Sequence, residues 1–319
     1  MNTANIKIQS IRKPQKLSLS GRIGSDLLKN RELYLMILPV IAYYILFHYK
    51  PMYGIIIAFK DYSPAKGILG STWIGLDNFR NFFGSYYFGR ILKNTFLISC
   101  SSILFEFPMP IILALLINEV RKRSFARVVQ TMTYMPYFLS LVVVCGLIKD
   151  FTNSTGIVSY LLGAFGMEPA NLLDKPGLFI PIYVISDIWQ NAGWGSIIYL
   201  SAISSIDQQQ YEAAEIDGAG HLRRVWHITL PGILPTIAIL FILRMGNMMS
   251  VGFEKILLLY SPLIYDTADV ISTFVYRRGI LDSDFSFSSA VGLFNSVINF
   301  CLVISANYMS RKVNDYSLW

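Results

Sequence analysis

The chain is 319 residues long, 54% hydrophobic and 15% charged, whereas a soluble globular domain carries about 25% charged residues. Its formal charge of +7 raises nucleic acid or an anionic surface as partners, but the basic residues are placed by compartment and not in a binding patch, which sets nucleic acid aside. Cys100, Cys145 and Cys301 all fall inside apolar blocks. They have neither disulfide-framework nor metal-ligand spacing, and no metal site is expected.

A helix needs about 20 mostly apolar residues to cross roughly 30 Å of hydrocarbon. Six blocks qualify, at 33–59, 91–117, 127–148, 178–203, 232–252 and 290–309. Backbone groups in lipid must find partners within their own segment, so the expected fold is all-α, a polytopic membrane bundle of six transmembrane helices. Residues 1–32 are polar and basic, with no apolar core before Leu33. No cleavable signal peptide is expected, and the first block serves as an uncleaved anchor. His48, Lys50 and Pro51 interrupt that block, so its helix is expected to end or kink there.

The charges orient the blocks. Lys7, Arg12, Lys13, Lys16, Arg22, Lys29 and Arg31 precede the first, and Arg121, Lys122, Arg123 and Arg127 lie between the second and third. Arg223 and Arg224 lie between the fourth and fifth, and Arg311 with Lys312 follow the last. These are alternate compartments of a six-span chain, and their acids are only Asp26, Glu32, Glu119, Asp207, Glu212, Glu215, Asp217 and Asp315. Positive loops stay in the cytoplasm, so both termini are expected inside. The expected organisation is a cytoplasmic segment 1–32, a membrane domain 33–310 and a cytoplasmic tail 311–319.

The first outside loop, 60–90, is crowded with Trp73, Phe79, Phe82, Phe83, Tyr86, Tyr87 and Phe88. A helix over 76–91 could lie along the membrane surface, or the rings could pack on the bundle. The second, 149–177, is rich in Gly and Pro around one short apolar helix near 158–165. The third, 253–289, holds a run at 256–260 too short to span and expected to fold back along the outer face of the bundle.

Between the fourth and fifth blocks the sequence reads YEAAEIDGAGHLRRVWHITLP over 211–231. Ser204, Ser205 and Asp207 supply helix-start residues, with Gln208 three positions after Ser205. A short helix is expected over 207–217, ended by Gly218. A second piece over 219–227 leads to Pro231 in the first turn of the next span. Ala213 and Ala214 remove bulk, and Glu212 and Asp217 offer carboxylates to a partner surface. Helical character alone leaves an ordinary connector equally open.

The pattern E-A-A, three residues, G, nine residues, I, one residue, L-P resembles the EAA motif of permease subunits of binding-protein-dependent ABC importers. Glu212, Ala213, Ala214, Gly218, Ile228, Leu230 and Pro231 match it, as do Asp217 and Ala219 in the D-G-A core; Trp226 stands where Phe is usual. Ile74-Gly75-Leu76-Asp77-Asn78-Phe79 is similar to a segment of sugar-type permeases. Gly252-Phe253-Glu254-Lys255-Ile256-Leu257 and residues 265–271 resemble the subgroup that takes up oligosaccharides from plant or algal polysaccharides.

The resemblance implies a type I ABC importer permease in a bacterial cytoplasmic membrane. The segment 204–231 would be its coupling element, with Glu212, Ala213, Ala214, Asp217, Gly218 and Ala219 docked on an ATPase. It also implies the partners: a second, homologous permease, two ATP-binding cassette subunits, an extracytoplasmic solute-binding protein and a carbohydrate. The chain has no phosphate-binding loop and no Gly-Lys pair. No cofactor and no catalytic residue are assigned to it; ATP and Mg are used by the partner ATPases.

Polar groups inside spans default to functional hypotheses. Tyr183, Asp187, Asn191 and Trp194 follow 4, 4 and 3 spacing, which puts them on one helical face. A carboxylate, an amide and two rings suit a polyol. The fifth block adds Asn247 and Arg244, and the sixth Asn295 and Asn299; Glu106 stands alone in the second. These could equally bond neighbouring helices, at about 0.6–2 kcal/mol each. Arg244 has two candidate counter-ions, Glu106 and Asp187. The rival functions are an ion-coupled secondary transporter of a polar solute, a six-span channel and a membrane-embedded enzyme.

Overall fold

The computed structural model describes residues 29–166, 168–314 and 317–318. The basic residues Lys7 to Arg22, Asp26 and Asp315, which carry part of the topology argument, lie outside them. The chain divides into two compact units, Met1–Ile55 and Ile56–Trp319.

Helix α1 (Arg31–Phe59) does not stop at His48 or Lys50. It passes through a π-helical stretch, Ile45–Tyr49, directly ahead of Pro51. The same device recurs twice. In α3 (Phe88–Asn118) the π stretch is Ser102–Glu106, ahead of Pro108, and in α9 (His221–Met245) it is Val225–Thr229, ahead of Pro231. Each stretch ends two residues before its proline. Proline has no N–H to donate and its ring crowds the carbonyl four residues earlier, so a widened turn is the local remedy that keeps the helix going. Pro231 therefore lies inside a continuous helix and not in the first turn of a span.

In the larger unit, strands β1 (Lys60–Asp61) and β2 (Thr72–Trp73) pair antiparallel, with Lys60 opposite Trp73. Asn78 donates to the carbonyls of Ala58 and Lys60, which fixes the start of α2 (Asp77–Phe83). The helix expected over 76–91 is two helices. Gly84 closes α2 on the Arg80 carbonyl, and α3 starts afresh at Phe88. Phe82 is fully buried against Phe287 and Phe294, while Tyr86 is 85% exposed, so the aromatic loop divides between packing and exposure residue by residue.

The block 127–148 is also not one span. Helix α4 (Arg123–Tyr134) gives way at Pro136 to a short 3-10 turn, and Ser140 caps a new helix, α5 (Leu141–Thr152), through the N–H of Val143. Helix α6 (Ile157–Ala164) fills the expected place in the second loop. Next come α7 (Pro176–Ser204), α8 (Gln208–Ile216) and α9, then α10 (Phe253–Leu259), α11 (Ile271–Tyr276) and α12 (Phe285–Asn314).

Among the described residues, five helical stretches are long and apolar enough to cross a membrane: Arg31–Phe59, Phe88–Asn118, Leu141–Ala164 (α5 and α6 taken together), His221–Met245 and Phe285–Lys312. Helix α7, the fourth expected span, has the length at 29 residues, but Asp187, Gln190 and Asn191 lower its hydropathy.

Three apolar clusters knit the larger unit. Ile98 of α3, Val144 and Ile148 of α5, Phe179 and Val184 of α7, and Ile256 and Leu259 of α10 make the first. The run 256–260 is thus built into the core and does not lie along an outer face. Phe82, Ile91, Phe274, Phe287 and Val291 join α2, α3, α11 and α12, while Ile111, Tyr199 and Ile233 join α3, α7 and α9. Lipid is as apolar as these side chains, so close packing holds the helices together. Gly193 is one such approach: a Cβ there would collide with the Thr133 carbonyl of α4.

Candidate substrate pathway and coupling surface

The coupling segment is built as a capped turn on a long helix. Asp207 accepts from the Gln209 N–H at 3.0 Å and starts α8; the cap is this residue and not Ser205. Gly218 has φ +76°, and the N–H groups of Gly218 and Ala219 bond back to the carbonyls of Glu215 (3.0 Å) and Ala214 (2.8 Å). This is a Schellman closure, in which a left-handed glycine satisfies the last carbonyls. Ala214 and Ala219 are partly buried in that closure. Glu212, Ala213, Asp217 and Gly218 are exposed.

Sequence reasoning missed what fastens α8 in place. The Tyr211 hydroxyl meets Thr229 Oγ1 at 2.9 Å, and Arg224 Nη1 donates to Glu215 at 3.2 Å, tying α8 to α9. His221 meets Glu119 at 2.9 Å, which adds the end of α3. The signal lay in the motif itself, where Tyr211 and Thr229 flank the matched positions. Ile216 and Leu222 stand 87% and 77% exposed beside the carboxylates, an apolar surface at the junction of α8 and α9.

Asp187 lies at the centre of the second site. It lines three adjoining cavities, of about 180, 400 and 440 Å3. Tyr183 borders the first and third, Asn191 the second and third, and Arg244 and Asn247 the first and second. Four of the six expected pathway residues therefore meet here: Tyr183, Asp187, Asn191 and Asn247.

Trp194 does not. It stacks on Tyr137 at 4.7 Å with planes 4° apart and lines none of these cavities. At 1.5 Å per residue it sits about 16 Å along α7 from Tyr183, so the face is shared but the level is not. Asn295 is displaced too. Its amide donates to Ser250 Oγ at 3.2 Å, and it borders a separate cavity with Phe253 and Ser288. Asn299 is a structural pin, accepting from the Met249 N–H at 2.9 Å and donating to Ser250 at 3.0 Å.

Two ion pairs set the electrostatics. Arg244 Nη2 donates to Glu106 Oε2 at 2.8 Å, and Ser102 donates to the other carboxylate oxygen at 2.9 Å. Arg244 thus pairs with Glu106 and not with Asp187. Asp187 is held by Lys255, 3.1 Å away. The Lys255 side chain is 4% exposed; its ammonium also donates to the Tyr183 carbonyl at 3.3 Å and lies 4.9 Å from the Tyr183 ring centre. Lys255 is a site residue the sequence reading passed over. A lone lysine opening an apolar run, inside a segment already singled out, was the available signal.

The guanidinium of Arg244 is half exposed to the cavities and uses one of its five N–H donors on Glu106. The arrangement offers an incoming polyol an amide pair, a carboxylate and a cation with spare donors.

Residues 106–315 match the family model for the inner membrane component of binding-protein-dependent transport systems. The chain belongs to this family. It is a permease component of an ABC importer, located in the inner membrane, and a translocation subunit rather than an enzyme. Among its relatives, Protein LplB of Bacillus subtilis (strain 168) is 43% identical, the match covering 91% of this chain and 92% of that one. The polygalacturonan/rhamnogalacturonan transport system permease protein YteP of the same organism is 44% identical, covering 93% of each.

A chain of a bacterial ABC transporter involved in the import of the acidic polysaccharide alginate superposes with TM-score 0.85 at 45% identity, over 92% of this chain and 99% of that one. A second structure of a bacterial alginate ABC transporter, in complex with an alginate pentasaccharide-bound periplasmic protein, gives TM-score 0.86 at 44% identity, over 93% and 100%. The permease fold and the importer class expected from the EAA pattern both hold.

Proposed function

We propose that this chain carries an acidic oligosaccharide across the membrane, past Asp187, Asn191, Arg244 and Asn247, driven by ATPases gripping α8. The relatives named for polygalacturonan and alginate support an acidic saccharide, and the spare donors of Arg244 supply the matching chemistry. A planar guanidinium binds a carboxylate through two parallel bonds, which suits a uronate ring.

The single observation that carries the reading is the continuity of α9. This helix begins beside the exposed carboxylates of α8 and ends at the residue after Arg244. Its 25 residues amount to about 37 Å at the helical rise. Helix α7, on the other side of α8, carries Asp187. A push on α8 is therefore delivered along both helices to the two acid–base pairs that line the cavities. Glu212, Ala213, Asp217 and Gly218 would form the docked surface, with Ala214 and Ala219 shaping its turn.

The full assembly would add a second homologous permease, two ATP-binding cassette subunits that use ATP and Mg, and a solute-binding protein docked on the outside loops. Both termini lie in the cytoplasm in this scheme. ATP drives the cycle because it binds one arrangement of the assembly better than the other.

The test is Glu212→Ala in the assembled complex. Losing one charge-assisted hydrogen bond across the docking surface should lower ATP-dependent saccharide uptake roughly tenfold, with membrane insertion unchanged. Uptake at the wild-type rate would remove the assigned role.

A further inference from the structure

The two cavities that Arg244 borders have a charge balance that suits an anion poorly. Among the described residues lining them, Arg244 is the cation, and Asp187 and Glu106 are both carboxylates. Lys255, the counter-ion of Asp187, lines neither of them, and its side chain is 4% exposed. A saccharide carboxylate that reaches Arg244 therefore meets two like charges around one cation.

Glu106 is built to face Arg244. Its side chain is 8% exposed, against 46% for Arg244. Ser102 and Glu106 are the first and last residues of the widened turn in α3. Ser102 Oγ donates to Oε1 at 2.9 Å, which leaves Oε2 to accept from Arg244 Nη2 at 2.8 Å. A buried acid thus fixes one Nη of the guanidinium, while the side chain stays half open to the cavity.

We propose that Glu106 is a specificity-determining residue of the pathway, an internal anion that competes with the substrate's carboxylate for Arg244 and keeps that carboxylate weakly held. The inference rests on the reading of the chain as an acidic-saccharide permease and adds a release device to that site. A transport site has to bind its solute well enough to admit it and weakly enough to let it go. A guanidinium without a partner would hold a uronate through two charge-assisted bonds. A second carboxylate on the same guanidinium repels the incoming one and lowers that gain. Sugar hydroxyls carry no charge, so Glu106 acts on the acid group and leaves hydroxyl recognition to Asn191 and Asn247.

Glu106→Gln removes the charge and little else, because its carbonyl can still accept from Arg244 and its amide can donate to Ser102 Oγ. Glu106→Met removes the charge and both hydrogen bonds, and Ser102→Ala keeps the charge but frees it from its holder. The assembled complex in lipid nanodiscs is titrated with two labelled tetrasaccharides, one all-uronate and one of neutral hexose. Uptake of the uronate chain is followed in proteoliposomes with the binding protein. Both Glu106 variants should bind the uronate chain about tenfold more tightly, the scale of one like charge a few ångströms away in a half-open site. Their maximal uptake rate should fall, their binding of the neutral chain should match wild type, and Ser102→Ala should not tighten. Unchanged or weaker uronate binding in an assembled Glu106 variant overturns the role, as does tighter binding with an unslowed maximal rate. Equal tightening on the neutral chain, or in Ser102→Ala, also overturns it. If wild type neither binds nor takes up the uronate chain, the acidic-saccharide reading itself fails; normal wild-type uptake without tightening in the variants removes the role of Glu106 alone.

Discussion

Lys255 is the residue on which the site's geometry turns. Its ammonium is the counter-ion of Asp187 and lies over the Tyr183 ring, with the side chain buried. Removing one partner of a buried pair leaves an uncompensated charge and costs about 3–5 kcal/mol, whereas replacing both with apolar groups of similar volume is close to neutral. Lys255→Met should therefore lower the unfolding midpoint of the purified complex clearly. The double variant Lys255→Met with Asp187→Leu should recover most of that loss without recovering uptake. A double variant no more stable than the single would show that the pair is not the source of the effect. At this scale the sequence read well where spacing spoke, as for Tyr183, Asp187 and Asn191. It left partners from distant segments open or unseen: Glu106 was one of two candidates for Arg244, 138 positions away, and nothing local announced Lys255 as the partner of Asp187.

At the scale of elements, α8 depends on one backbone conformation. Gly218 adopts φ +76°, a region that costs an L-residue about 1–2 kcal/mol and a β-branched one more. Gly218→Val should loosen the closure that orients α8 and reduce coupled uptake severalfold. The complex should still assemble, as gel filtration would show; full uptake would mean that the turn does not set the docking angle. Helix starts and stops were legible because caps and glycines are local. Breaks were less so. Apolar composition over 127–148 hid the interruption at Pro136 and Ser140. Hydropathy likewise treated 256–260 as too short to matter, although its side chains complete the largest core cluster.

For the whole molecule, the proposal fixes which side of the membrane each end of the bundle faces. With Cys100, Cys145 and Cys301 replaced by alanine, Ala213→Cys should react with an impermeant maleimide only in inverted vesicles, and Tyr86→Cys only from outside. Reaction of Ala213→Cys from outside would reverse the topology and end the coupling scheme. The proline-linked widened turns have a further consequence at this scale. Each adds one residue to its helix, and one residue is about 100° of rotation. Glu106 closes such a turn in α3, and Arg244 follows one in α9. The angular address of each charge is thus set by a single surplus residue, and a one-residue deletion in either turn would leave the pair facing different neighbours.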